Sequence, residues 1–160
     1  MVIRLDSTFH YDLKALAPAQ SATFESVYSG PVAYSYDAFK ADVVTALEKS
    51  FGTSVKPDKK AAKIKADGNR RSADVVVTTE FRRYSSFPSL AAAQFESGIC
   101  FFTSGGSRIV NYPKQHSANC TTKHQATSER FEPMVRIVKN MRSRLVDDGA
   151  IAAGSRHTAH

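Results

Sequence analysis

Two stretches of the chain repeat apolar residues at the spacing of an amphipathic helix. The first covers residues 36–51, with Ser35 as a candidate N-cap and Gly52 as a candidate stop. The second covers residues 129–146, where acidic residues near the start and arginines near the end follow the helix dipole. The predicted apolar faces are Tyr36, Phe39, Val43, Leu47 and Phe51 in the first helix, and Phe131, Met134, Val138, Met141 and Leu145 in the second.

Alternating and β-branched segments predict the strands. "MVIRL" predicts a short strand at the N-terminus, and residues 61–67 alternate apolar and charged positions. Gly68 and Asn69 then turn the chain into "SADVVVTTEFRRY", so we expect an antiparallel pair. Residues 98–112 predict a hairpin around a Gly-rich turn. We expect loops over the polar stretch broken by Pro18 and over "NYPKQHSANCTTKHQATSE".

The order of these elements indicates the fold class. Strands and helices do not alternate strictly, so the sequence predicts an α+β fold with a mixed or mainly antiparallel sheet flanked by helices. The length of 160 residues suits one domain, or one domain with an appendage. No apolar run approaches the about 18–20 residues of a membrane span, and the N-terminus does not resemble a secretion signal. The two cysteines suit a reducing cytoplasm, so we expect a cytoplasmic protein with no membrane partner.

Positive charge narrows the choice of partners. The chain carries 22 Lys and Arg against 15 Asp and Glu, a net charge of +7. That excess favours an anionic partner such as a nucleotide, nucleic acid or phosphate, although solubility alone would also explain it. No motif for sequence-specific nucleic-acid binding is present. The Gly-rich turn lacks the Gly-Lys-Ser/Thr ending of a phosphate loop and precedes a strand, which excludes that motif.

A single carboxylate, Asp74, stands at the head of a run of valines that we expect to be a buried strand. An unpaired charge there would be costly. Pairing with Lys63 or Lys65 on the neighbouring strand is one explanation, and coordination of a divalent cation is the other. Two-metal transfer chemistry needs several converging carboxylates, so Asp74 alone does not suffice. Asp6 and Asp12 are the nearest further candidates, but their spacing does not require them to face Asp74.

Basic and aromatic residues in the second half could contact a nucleotide. Arg136 and Lys139 on the second helix, with Lys123 before it, suit a triphosphate, although a solvated helix face has the same composition. Tyr112 ends the hairpin, where an aromatic ring can stack on a base.

A third candidate site rests on donor spacing in the segment before the second helix. His116, Cys120 and His124 fall at steps of four, which would allow a zinc site if the segment were helical.

The ordered series of motifs resembles a known enzyme family. "ADVVVTTEFRRY" is followed by "GICFF", then by "RIVNYPKQHSANCTTKHQATSERFEPMVRIVKNMR", and "YSYDAFKADVVTALEKSFG" lies upstream. Together they resemble the bacterial cGAS/DncV-like nucleotidyltransferases, the cyclic oligonucleotide synthases of anti-phage signalling. The resemblance covers most of residues 1–146. It departs at His124, where the family usually has Asn, which weakens any inference of a base contact there.

The resemblance implies a fold, a reaction and site residues. The fold would be a partial polymerase-beta-like nucleotidyltransferase palm with the start of a helical lobe. Nucleoside triphosphates would be the substrates and Mg²⁺ the cofactor. Asp74 would be the third catalytic carboxylate and a metal ligand, Tyr112 would contact a base, and Lys123, Arg136 and Lys139 would face the triphosphate.

The resemblance also implies that parts of the family pattern are missing. The Gly-Ser loop and the Asp-x-Asp of the family would precede Met1, and the helical lobe would continue past "KNMR". We therefore expect a chain truncated at both ends and inactive alone, with an exposed strand edge open to a complementing chain or a homodimer. The predicted divisions are a core over 1–128, a helix over 129–148 and a flexible tail over 149–160. A non-catalytic nucleotide-binding or protein-interaction module is the alternative function.

Overall fold

The computed structural model describes residues 1–32 and 34–152. Most of the tail predicted over 149–160, from residue 153 onward, therefore lies outside the described residues. The strands are β1 (Val2–Asp12), β2 (Val55–Pro57), β3 (Ala62–Ile64), β4 (Ala73–Ser86), β5 (Gln94–Phe102) and β6 (Arg108–Asn111). The helices are α1 (Pro18–Val27), α2 (Tyr36–Phe51), α3 (Pro113–Ala126) and α4 (Phe131–Asp147), and a 3₁₀ turn covers Gly52–Ser54.

The chain forms two compact units. The first, Met1–Pro113, contains the whole sheet together with α1 and α2, and the second, Lys114–His160, contains α4 and nearly all of α3. The division predicted at residue 128 stays a prediction. Among the described residues, every helix is too short or too polar to cross a lipid bilayer.

The sheet is built around β4, which pairs with three other strands. β1 lies parallel to β4, while β3 and β5 are antiparallel to it. β2 and β6 extend the sheet by antiparallel pairing with β3 and β5. The prediction of an α+β fold with a mixed, mainly antiparallel sheet is confirmed, and so are the antiparallel β3–β4 pair and the β5–β6 hairpin.

Helices α1 and α2 cover opposite faces of the sheet. Side chains alternate along a strand, so Val75 and Val77 of β4 point to one face and Asp74 to the other. α2 packs on the Val75 and Val77 face through Leu47 and Tyr36. α1 packs Phe24 against the buried Tyr84 and Phe87. The prediction of α2 is confirmed with its cap, because the Ser35 side chain accepts a hydrogen bond from the Ala38 amide, and Gly52 ends the helix at a φ of 55°.

A bulge in β1 changes which of its residues face α2. Leu5 lies opposite Thr79 and Phe9 lies opposite Glu80, so the three residues between Leu5 and Phe9 are not paired in the β1–β4 register. Before the bulge, Val2 pairs with Val76 and shares the Asp74 face. Beyond it, His10 pairs with Phe81, so even-numbered β1 residues now point to the α2 face.

Two helices were missed by the sequence analysis. Pro18 was predicted to break the chain, but it occupies the first turn of α1, where the missing N–H costs nothing. The segment "NYPKQHSANCTTKHQATSE" was predicted to be a loop, but Pro113–Ala126 is a helix. α3 is polar on all sides and has no buried residue, so it carries no apolar stripe that periodicity could detect.

The apolar face predicted for the last helix exists, but it is not buried. α4 begins at Phe131, close to the predicted start, with Pro133 in its first turn. The exposed large apolar side chains of α4 are Met134, Ile137, Val138, Met141 and Leu145.

The hydroxyl of Tyr36 joins α2 to two strands, and its removal provides a test of the fold. It donates to the Val77 carbonyl at 3.1 Å and accepts from the Phe102 amide at 3.3 Å. We expect Tyr36→Phe to reduce the free energy of unfolding by about 1–3 kcal/mol in urea titrations, because two buried backbone groups lose their partner. Tyr11→Phe removes the hydroxyl of a tyrosine that is 44% exposed, and it should change the free energy of unfolding by less than about 0.5 kcal/mol. Equal effects would contradict this packing.

The two thiols should differ in reactivity. Cys100 is fully buried and Cys120 is exposed. Burial raises the pKa of the Cys100 thiol to about 11, so only about one-thousandth of it is thiolate at pH 8. We expect one fast reaction with a thiol reagent in the native protein, which Cys120→Ser removes, and two reactions after denaturation. Two fast native reactions would show that β5 is not buried as described.

Candidate functional site

Asp74 lies at the exposed start of β4, so the prediction of a buried position is wrong. The strand becomes buried only from Val75 onward. The terminal ammonium of Met1 donates to the Asp74 carbonyl oxygen at 2.7 Å, and the Val76 amide donates to the Met1 carbonyl at 2.9 Å. Asp74 is therefore held by its backbone at the end of the β1–β4 pairing, with its carboxylate at the surface.

The lysines of the neighbouring strand were the alternative explanation for Asp74. Lys63 of β3 lies directly opposite Asp74 in the register. Its ammonium forms an ion pair with Asp58 at 2.8 Å. Lys63 and Asp74 therefore share a face of the sheet, and the Lys63 ammonium is paired with the Asp58 carboxylate there.

The described residues do not make a magnesium site by themselves. No group of three or more His, Cys, Asp or Glu side chains within residues 1–32 and 34–152 is arranged to hold a metal ion. Asp6 forms an ion pair with Arg4 at 2.6 Å, and the Asp12 carboxylate accepts the Lys14 amide at 3.0 Å. Both acids are thus engaged with neighbouring groups of β1 and its following loop, and the described residues bring fewer than three potential ligands together around Asp74.

Tyr112 follows β6 and lies in a close-packed setting. The guanidinium of Arg83 lies 5.0 Å from the centre of its ring, and Phe81 contacts it edge-on at 6.3 Å. Burial raises the pKa of the Tyr112 hydroxyl. A Cβ at Gly98 would lie 2.9 Å from the Tyr112 ring and 2.7 Å from the Asn111 carbonyl oxygen, so only glycine leaves room here. The sequence does not indicate the importance of Gly98, because the hairpin pattern does not show that the Tyr112 ring packs over it.

The predicted triphosphate contacts all belong to the second unit. Lys123 lies on α3, and Arg136 and Lys139 lie on α4, with all three side chains exposed. Arg136 forms an ion pair with Glu132 at 3.6 Å, one turn earlier on the same helix. Their contact with a nucleotide stays a prediction, and the solvated helix face stays open as the alternative.

His124 has a structural role at the junction of α3 and α4. Its Nδ1 accepts the Glu132 amide at 3.3 Å, and the Thr127 hydroxyl accepts the Phe131 amide at 3.1 Å. These bonds satisfy amides in the first turn of α4 that have no partner within the helix. His116, Cys120 and His124 do lie on one helix, but they form no metal-holding group among the described residues.

Comparison with known proteins identifies the ancestry. The family model of the cGAS/DncV-like nucleotidyltransferase C-terminal helical domain matches residues 118–156. A cyclic dipurine nucleotide synthase of Elizabethkingia meningoseptica is 36% identical over 154 residues, which cover 95% of this chain and 50% of that protein. A cyclic UMP-AMP synthase of Rhodothermus marinus is 33% identical over 153 residues, with 94% and 50% covered.

Solved structures agree with these matches. The Elizabethkingia meningoseptica CdnE cyclic dinucleotide synthase with GTP and Apcpp has a TM-score of 0.67 and 30% identity, covering 94% of this chain and 47% of that one. The Rhodothermus marinus CdnE c-UMP-AMP synthase with Apcpp and Upnpp has a TM-score of 0.73 and 29% identity, covering 94% and 49%.

Fold and sequence together define a nucleotidyltransferase architecture. The chain belongs to the cGAS/DncV-like nucleotidyltransferase family, and the relatives that it matches are cyclic dinucleotide synthases. It spans about half the length of those curated relatives.

Gly98 should be intolerant of a side chain. We expect Gly98→Ala to lower the free energy of unfolding by about 1–3 kcal/mol in urea titrations, because the new methyl group meets a backbone oxygen and the Tyr112 ring. Gly105→Ala is the matched control, since its Cβ would meet only the Thr103 hydroxyl at 3.9 Å. If both variants are equally stable, Tyr112 does not pack over Gly98.

Proposed function

We propose that these 160 residues are part of a synthase that joins nucleoside triphosphates into a cyclic oligonucleotide and releases pyrophosphate. The observation that carries the proposal is the 36% identity over 154 residues to a cyclic dipurine nucleotide synthase. The identity runs through 95% of the chain and therefore includes the strand of Asp74 as well as both helices of the second unit. A role in anti-phage signalling and a cytoplasmic location are part of the same proposal.

The proposed roles follow the chemistry of the side chains. Asp74 would supply one carboxylate to bound Mg²⁺, and the other ligands would come from residues outside these 160. Tyr112 would contact a base, and Lys123, Arg136 and Lys139 would neutralise triphosphate oxygens. The backbone bonds between Met1 and Asp74 support this arrangement, because residues placed before Met1 would run beside those before Asp74.

These 160 residues should be inactive when tested alone. They contain no Asp-x-Asp motif, and one carboxylate cannot position two metal ions. A complementing chain, or a homodimer through an exposed strand edge, is the proposed way of completing the site.

A non-catalytic nucleotide-binding or protein-interaction module is the second candidate. One observation favours it: within the part of the chain that the structure describes, no cluster of metal-ligating side chains is present. The exposed cations of α3 and α4 would then bind an anionic partner without any reaction.

A synthase assay separates the two candidates. Labelled ATP, GTP, CTP and UTP with Mg²⁺ should give no product with the 160-residue chain. A chimera should be made in which these 160 residues replace the matching part of the Elizabethkingia meningoseptica synthase and the rest of that synthase is kept. This chimera should give product. Asp74→Asn in the chimera should lower the rate at least about a hundredfold, because a metal ligand is lost, whereas Asp67→Asn should not.

The assay has clear contradicting outcomes. A magnesium-dependent product from the 160-residue chain that survives Asp74→Ala would refute the assignment of Asp74. A chimera that folds, binds ATP and makes no product would favour the non-catalytic module.

A further inference from the structure

A cleft on the α2 face of the sheet lies apart from Asp74. Its volume is about 510 Å³, within the range of small-molecule pockets. Tyr36 lines it and packs in the same buried cluster as Val77. Val77 is an odd number of residues from Asp74 along β4, so the two side chains point to opposite faces. The cleft is therefore separate from any site built around the Asp74 carboxylate.

Three aromatic rings shape the cleft. Tyr36 lies 5.2 Å from Phe102, and His10 meets the same phenylalanine ring at 5.0 Å and 65°. The Tyr36 hydroxyl is already bonded to the backbone on both sides, which fixes the ring in place. The aromatic walls are thus arranged before any ligand binds, and flat apolar walls suit a planar ring.

Two opposite charges stand one helical turn apart at the cleft. Asp37 and Lys40 both belong to α2 and both line the cleft. Within the described residues, no ion pair or side-chain hydrogen bond joins them. The ammonium of Lys40 makes one long hydrogen bond, 3.4 Å to the Phe102 carbonyl, which leaves donors for a ligand. Because residues three apart on a helix are neighbours on its surface, this carboxylate and ammonium together offer an acceptor and a donor to one ligand.

His10 adds a neutral polar group to the wall. Burial lowers its pKa and the positive charge of Arg108 lowers it further, while the negative charge of Asp37 opposes this shift, so the neutral imidazole is favoured at neutral pH. A neutral imidazole has one donor and one acceptor nitrogen. Neither ring nitrogen forms a hydrogen bond with another residue in the described ranges, so both are open to a ligand.

We propose that this cleft binds a guanine base. Guanine presents an acceptor, O6, directly beside two donors, N1–H and N2–H. The Lys40 ammonium donates to O6, and the Asp37 carboxylate accepts from N1–H and N2–H, while the ring lies against Phe102. Adenine has one donor group on this edge, its N6 amino group, whereas guanine offers the carboxylate both N1–H and N2–H. The proposal requires no phosphate, metal ion or catalysis, so it is independent of the synthase function proposed above.

The experiment is a nuclear magnetic resonance titration of the full 160-residue chain with nucleosides. Guanosine should shift the amide resonances of His10, Asp37 and Thr103 and should bind more tightly than inosine, adenosine or cytidine. Asp37→Asn and Lys40→Met should each weaken guanosine binding at least about tenfold, because each removes a charge-assisted hydrogen bond. Asp37→Asn should weaken the binding of inosine less than the binding of guanosine, because inosine lacks the N2 amino group that donates to the Asp37 carboxylate.

Matched controls lie on the same helix and on the opposite face. Glu48→Gln and Lys49→Met remove the same charges near the end of α2, and both should leave guanosine affinity unchanged. Asp74→Asn should also leave guanosine affinity unchanged, while lowering the synthase rate of the chimera at least about a hundredfold. The proposal is overturned if guanosine causes no shifts at its solubility limit, if all nucleosides bind equally, or if Asp74→Asn weakens binding while Asp37→Asn does not.

Discussion

The parallel pairing of β1 with β4 determines where Asp74 and the aromatic cleft lie on the sheet. It runs from Val2 opposite Val76 to Asp12 opposite Arg83, and the first residue of the chain is bonded to Asp74. Parallel pairing joins segments that are distant in sequence, and here the partners are more than 70 residues apart. The closure entropy of that long loop must be offset by burial, and β4 supplies it through Val75, Val77 and Phe81.

A buried hydroxyl helps to make the bulge in this pairing tolerable. Thr8 lies in the irregular stretch between Leu5 and Phe9, and its carbonyl accepts a hydrogen bond from the fully buried Thr79 hydroxyl at 2.7 Å. A buried carbonyl without a partner would otherwise cost about 1–3 kcal/mol. The neighbouring Thr78 hydroxyl, also fully buried, donates to the Ile3 carbonyl at 3.3 Å in the regular part of the pairing. The Thr79 hydroxyl therefore serves the β1 geometry, although it gives no such signal in the sequence.

Local pattern was sufficient to predict some elements but not others. α2 could be predicted with its cap because five apolar residues, a serine and a glycine all indicate the same helix. α3 could not, because a helix that is polar on all sides shows no periodicity. The position of Asp74 on β4 followed from the valine run, but its exposure did not, since burial depends on which strands end beside it. The cleft was beyond local pattern altogether, because His10 reaches it only through the bulge.

The same bulge separates two kinds of chemistry on one sheet. Without it, His10 would share the face of Val2 and Asp74, and the α2 face would lack its neutral imidazole. With the bulge, the start of β1 pairs beside Asp74, whose carboxylate points to one face. The end of β1 places His10 in the aromatic cleft on the other face. A substitution that shifts the β1 register would therefore disturb both faces together, whereas Asp37 and Asp74 can each be changed alone. That difference is what allows the two sites to be tested as independent properties of one fold.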